Sequence, residues 1–186
     1  MNSDLVRALY DKYVYINIDG TLAEYHYNNH VSAKDGSGCG VRIDEINEHV
    51  YLNSRPLESV IKVLSKSYPR RVSVYSTAIS LVEVSDKIEW LQRNCQNIPI
   101  QNYLWFVPKM HWKKLCEEFG VSTFAIAFKH PLGYVACGNP TRVIEYINSA
   151  YEHHVSDAVI LDSNPEYLQF AEDRGATAYH VSSFMD

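Results

Sequence analysis

Tyr13-Val14-Tyr15-Ile16-Asn17-Ile18-Asp19-Gly20-Thr21-Leu22 decides how this chain is read. Its first half is a compact run of β-branched and aromatic residues. Such a run reads as a buried strand. It stops at Asp19-Gly20-Thr21, a turn signal. A buried strand that ends in acidic and hydroxyl residues is a place to look for chemistry. In open α/β sheets, ligands bind at the carboxyl ends of the strands.

Further along the chain, two more strands end in the same manner. Arg71-Val72-Ser73-Val74-Tyr75 runs into Ser76-Thr77, and Ala158-Val159-Ile160-Leu161 runs into Asp162. Amphipathic segments lie between the strands. Residues 4–11 predict a short lead-in helix. Pro56 predicts a helix start, followed by Leu57, Val60, Ile61 and Leu64 at helical spacing. Residues 82–94 place Val84, Ile88 and Leu91 on one face. His111 to Phe119 is a helix closed by Gly120. Pro140 opens another, with Val143, Ile144 and Ile147 inward, and Pro165 to Arg174 is capped by Gly175. Tyr103 to Val107 and Thr177 to Val181 read as strands. Phe124 to Phe128 and Tyr134 to Cys137 form a strand pair about the Pro131-Leu132-Gly133 turn. Strands alternating with helices predict a parallel sheet with right-handed crossovers. The expected fold class is α/β: a Rossmann-like three-layer α/β/α arrangement with a mostly parallel central sheet. The 186 residues suit one domain, 1–186. Residues 23–55 are polar and Gly-rich around 34–40, and predict a small cap or flap insertion after the first strand.

Composition excludes several classes. A net charge of -5 is a poor match to sequence-independent nucleic-acid binding, which needs clustered Lys and Arg. No apolar run approaches the roughly 18 residues of a membrane span. The start, MNSDLVRALYDKY, has no apolar signal-peptide core. Cys39, Cys95, Cys116 and Cys137 are too scattered for a zinc knuckle or a redox pair. A cytoplasmic protein with reduced thiols is expected. The 14 Tyr suit half-buried strands and helix faces with the hydroxyl end wet. Histidines such as the adjacent His153 and His154 read as surface or turn residues.

The three strand ends resemble motifs of the haloacid dehalogenase-like superfamily. Val14 to Leu22 is similar to its first motif, an apolar strand followed by D-x-D-G-T-L. Val72 to Ser76 is similar to the second, and Val159 to Pro165 to the fourth. The resemblance runs from about residue 13 to near the end of the chain. It implies Mg²⁺-dependent phosphomonoester hydrolysis through an aspartyl-phosphate, acting on a small phosphorylated substrate. It places Asn17 at the nucleophile, Asp19 as general acid and base, and Asn17, Asp19 and Asp162 around the metal. Gly20, Thr21, Ser76 and Thr77 would hold the phosphoryl group. A lysine would steady it, with Lys109 first by position and Lys129 second.

The sequence departs from that pattern where it matters most. An amide at position 17 is a very poor nucleophile and brings no charge to a cation. The fourth motif has one acid, Asp162, before Ser163. Moving the nucleophile to Asp19 would carry it too far around the turn, because the apolar run sets the register. Two functions therefore stand side by side. One is a phosphohydrolase scaffold inactive or trapped by Asn17. The other is a degenerate, non-catalytic member that binds a phosphorylated ligand or a protein partner. Ordinary roles stand beside these: Asp19-Gly20 as a plain turn, Asp162 as a helix cap.

Overall fold

The computed structural model describes residues 3–24, 49–150 and 153–185. Most of the expected flap, together with Cys39, lies outside them. Seven strands make one mostly parallel sheet, in the order β4 (Ala127–His130), β5 (Gly133–Cys137), β3 (Tyr103–Val107), β2 (Arg71–Thr77), β1 (Tyr13–Asn17), β6 (Ala158–Asp162), β7 (Thr177–His180). Helices intervene between the parallel strands, which is the chain plan of a three-layer α/β/α Rossmann-like fold. Chain contacts divide the molecule into two compact units.

The first unit holds α1 (Ser3–Leu9), β1 (Tyr13–Asn17), α2 (Glu58–Ser67), β2 (Arg71–Thr77) as far as Tyr75, α5 (Val143–Ala150), β6 (Ala158–Asp162), α6 (Pro165–Glu172) and β7 (Thr177–His180). β1 lies between β2 and β6, parallel to both, and β6 continues to β7, again parallel. Val14, Tyr15 and Ile16 are buried, as a strand covered on both faces requires. One expectation shifts here. The helix expected from Pro56 begins at Glu58. Pro56 instead bridges Ala23, and Leu57 N–H donates to Leu22 O at 2.7 Å. Helix α6 starts as read, with Pro165 in its first turn and Asn164 Oδ1 accepting from Glu166 N at 3.0 Å.

The second unit holds the end of β2 from Ser76, α3 (Leu81–Asn94), β3 (Tyr103–Val107), α4 (Lys109–Phe119), β4 (Ala127–His130) and β5 (Gly133–Cys137). β3 pairs parallel with β5, and β4 pairs antiparallel with β5. Ser80 caps α3 by accepting from Glu83 N at 3.1 Å, while Glu83 Oε2 reaches back to Ile79 N at 2.8 Å. That is the reciprocal pattern of a capping box, one residue out. The hairpin is closed by Gly133, at φ 121, where a Cβ would stand 2.5 Å from Tyr103 O. The strand expected from Phe124 starts at Ala127, leaving Phe124 and Ile126 exposed before it. Among the described residues Cys95, Cys116 and Cys137 stand in no disulfide. Among the described residues no helix is long and apolar enough to cross a membrane.

Candidate functional site at the ends of β1 and β6

The site follows from strand register. Ile16 is level with Leu161, so the next residues, Asn17 and Asp162, stand side by side at the carboxyl ends of β1 and β6. On the other side Asn17 is level with Tyr75. In-register residues of parallel strands present their side chains to the same face. Tyr75, Asn17 and Asp162 therefore form a row, and all three are buried.

The row is tied together through the Asp162 carboxylate. Asn17 Nδ2 donates to both of its oxygens, at 3.2 Å to Oδ1 and 3.1 Å to Oδ2. The Tyr75 hydroxyl reaches past Asn17 and donates to Oδ2 at 2.5 Å. The backbone N–H groups of Ser163 and Asn164 donate to Oδ1 at 2.7 and 3.0 Å. An ionised carboxylate has about four acceptor sites. Four donor groups meet this one. Asp162 is fully buried, and burial pushes its carboxyl above the usual range, while the bonds from Tyr75, Asn164, Asn17 and Ser163 pull the other way. Burial also pushes the Tyr75 phenol well above its ordinary range, with the Asp162 charge adding to the effect. Tyr75 is thus a protonated, donating hydroxyl.

The turn after β1 is bonded within itself. Gly20 N–H donates to Ala23 O at 2.8 Å and Thr21 N–H to Ile18 O at 3.3 Å. The Thr21 side chain is fully buried, and its Oγ1 has no hydrogen-bond partner among the described residues. The same holds for Asn17 Oδ1. Asp19 is half-buried.

The donor set can be tested against Mg²⁺, the ion implied by the motifs. Mg²⁺ takes oxygen ligands in near-octahedral geometry, usually including one or two carboxylates. Asn17 Oδ1 offers a neutral oxygen. Asp162 offers none as it stands, because N–H and O–H donors point at both oxygens. Among the described residues no group of three or more His, Cys, Asp and Glu could hold a metal ion. With Asn17 in place, the row does not fit Mg²⁺.

The second unit contains the remaining candidates. Ser76 is fully buried, and its hydroxyl donates to Thr77 O at 3.0 Å. It also accepts from Lys87 Nζ at 2.8 Å. Lys87 donates further to Thr77 O at 3.0 Å and to Glu83 Oε1 at 2.8 Å, and sits 4.3 Å from the centre of the Tyr51 ring. Lys109 opens α4 and is exposed, and Lys129 is exposed on β4. Sequence reasoning passed over Tyr75 and Lys87. Lys87 had a signal. It lies three residues after Val84 and four before Leu91, on the inward face of α3, with Glu83 four residues before it.

No family model and no curated protein matches this chain. Among solved structures it is similar to a HAD family enzyme of Bacteroides thetaiotaomicron. The wild-type enzyme, in complex with magnesium and inorganic phosphate, is 13% identical, with 91% of this chain and 93% of that chain covered and a TM-score of 0.33. An aspartate-to-alanine mutant in the same complex is 12% identical, with 90% and 92% covered and a TM-score of 0.32.

Proposed function

We propose that this chain is a phosphohydrolase scaffold of the haloacid dehalogenase-like kind whose covalent step is absent. With Asn17 in place, it holds a small phosphorylated ligand without turning it over. The observation that carries the reading is the orientation of Asn17. The group at the nucleophile position donates both ways into Asp162, at 3.2 and 3.1 Å, and so is engaged as a hydrogen-bond donor. An uncharged amide is a very poor nucleophile, and this one turns its N–H side, not its oxygen, to Asp162. Thr21 Oγ1 is the polar group that the turn can offer to a phosphate oxygen. The parts given to Asp19, Gly20, Ser76, Thr77 and Lys109 rest on motif position. Mg²⁺ belongs to the form of the scaffold with a carboxylate at position 17.

Two measurements test this. The chain as it stands should show no hydrolysis of para-nitrophenyl phosphate, with or without Mg²⁺, while inorganic phosphate raises its melting temperature. Asn17→Asp should hydrolyse the ester only when Mg²⁺ is present. Turnover by the unaltered chain would overturn the reading, as would a folded, Mg²⁺-loaded Asn17→Asp variant with no activity. Absence of any phosphate effect on melting would remove the ligand-binding part.

A further inference from the structure

A buried carboxylate needs compensation, and Asp162 receives it from an unusual direction. Its chelating face, where one atom can touch both oxygens, is taken by Asn17 Nδ2. The far side of Oδ2 is taken by the Tyr75 hydroxyl, at 2.5 Å. The remaining directions on Oδ1 are taken by two backbone N–H groups. Asp162 is fully buried, so solvent supplies none of this.

We infer that Asn17 and Tyr75 together close Asp162 to divalent cations, the Asn17 amide standing on the carboxylate where a cation would stand. The two act differently. Asn17 covers both oxygens at once and is neutral, so it brings the row no charge of its own. Tyr75 is a positioning residue. It comes from β2 in register with Asn17 and fixes the carboxylate from the side away from β7. With Asn17→Asp, the 3.1–3.2 Å contact would join two carboxylate oxygens. Like charges at that separation stay ionised together only with a cation between them; otherwise the pair keeps one proton, which a bound divalent ion displaces. The variant would therefore acquire the divalent-ion dependence that the chain itself lacks. Removing the Tyr75 hydroxyl as well would free an acceptor site on Oδ2 and tighten the ion. The inference stands on donor geometry and is independent of whether the scaffold hydrolyses anything.

The test uses the full chain, Asn17→Asp, Asn17→Ala, Tyr75→Phe and the Asn17→Asp/Tyr75→Phe double variant. Melting is followed by circular dichroism in EDTA and in Mg²⁺, and Mn²⁺ binding by electron paramagnetic resonance. The unaltered chain should melt at the same temperature in both media and bind no Mn²⁺ at this site. Asn17→Asp should melt lower in EDTA and regain about 5–10 °C in Mg²⁺ at a hundredfold excess over its Kd. The double variant should bind Mn²⁺ about tenfold more tightly than Asn17→Asp, the equivalent of one ordinary interaction. Tyr75→Phe alone should gain nothing, because Asn17 still covers both oxygens. If Asn17→Asp fails to fold in either medium, Asn17→Ala carries the test, since it opens the chelating face without adding a charge. Mn²⁺ binding by Asn17→Ala above that of the unaltered chain supports the inference. A divalent-ion response in the unaltered chain overturns it. So does a folded Asn17→Asp that ignores Mg²⁺, or an Asn17→Ala that binds no more Mn²⁺ than the unaltered chain. Mg²⁺-dependent melting without ester hydrolysis would leave this inference standing and remove the phosphohydrolase reading.

Discussion

Asp162 in the first unit and Glu83 in the second are both fully buried carboxylates, and each is compensated differently. Glu83 has a cation. Lys87 Nζ stands 2.8 Å from its Oε1, is itself 1% exposed, and spends its other donors on Ser76 Oγ and Thr77 O. All three ammonium donors are used, and the pair is neutral. Asp162 has no such partner in its row. It receives an amide, a phenol and two backbone N–H groups in place of a cation. An ion pair is a finished structural unit. A carboxylate held by dipoles at a sheet end has no partner charge of its own.

The largest expected effect breaks the first of these arrangements. Lys87→Met leaves Glu83 buried without its cation and should cost about 3–5 kcal/mol in urea unfolding. Glu83→Leu together with Lys87→Met should recover most of that loss, because a well-packed apolar pair removes both desolvation costs. A small loss in the single variant would mean that Glu83 is not held by Lys87, and the comparison would collapse.

A smaller effect is expected at the other carboxylate. Tyr75→Phe removes one of four donor groups from Asp162 and should cost about 1.5–3 kcal/mol, the range for a hydrogen bond to a charged group. The smaller figure follows from the compensation being spread over several dipoles. If Tyr75→Phe proved as costly as Lys87→Met, the two sites would not differ in the way described.

How much of this was legible beforehand depends on what each residue had to reveal. β1, β2 and β6 were readable because each is a short apolar run stopped by polar residues. The end of α4 was readable from Gly120, which takes φ 69. The start of α2 was misplaced by two residues because Pro56 is used for a bridge to Ala23, a pairing that no local signal announces. Tyr15, Tyr75 and Tyr103 depart from the expected wet hydroxyl. They are almost fully buried, and their hydroxyls bond to His153, Asp162 and Ile98 O. His153, expected at the surface, is half-buried and stacks on Tyr13 at 3.8 Å.

At the site, Asn17 and Asp162 were visible as residue types at strand ends. Their contact depends on register, and so does Tyr75. In the sequence that residue reads as one more strand aromatic, and the resemblance points to the hydroxyl after it, at Ser76. Only the pairing of Asn17 with Tyr75 on one side, and the level of Ile16 with Leu161 on the other, puts the phenol within reach of Asp162. Lys87 could have been found from the sequence as a charge on an apolar helix face. Lys87 stands ten residues beyond its strand, whereas Lys109 and Lys129 follow closely on the expected strands Tyr103 to Val107 and Phe124 to Phe128.

The central claim is that the Asn17 amide occupies the cation's place on Asp162. Its most direct test is the side-chain amide signal of Asn17 in a proton–nitrogen NMR spectrum, assigned by comparison with Asn17→Asp and followed as Mn²⁺ is added. The expected result is a slowly exchanging pair of protons whose line widths do not change. Selective broadening of that pair at low Mn²⁺ would place the ion beside Asn17 and contradict the claim.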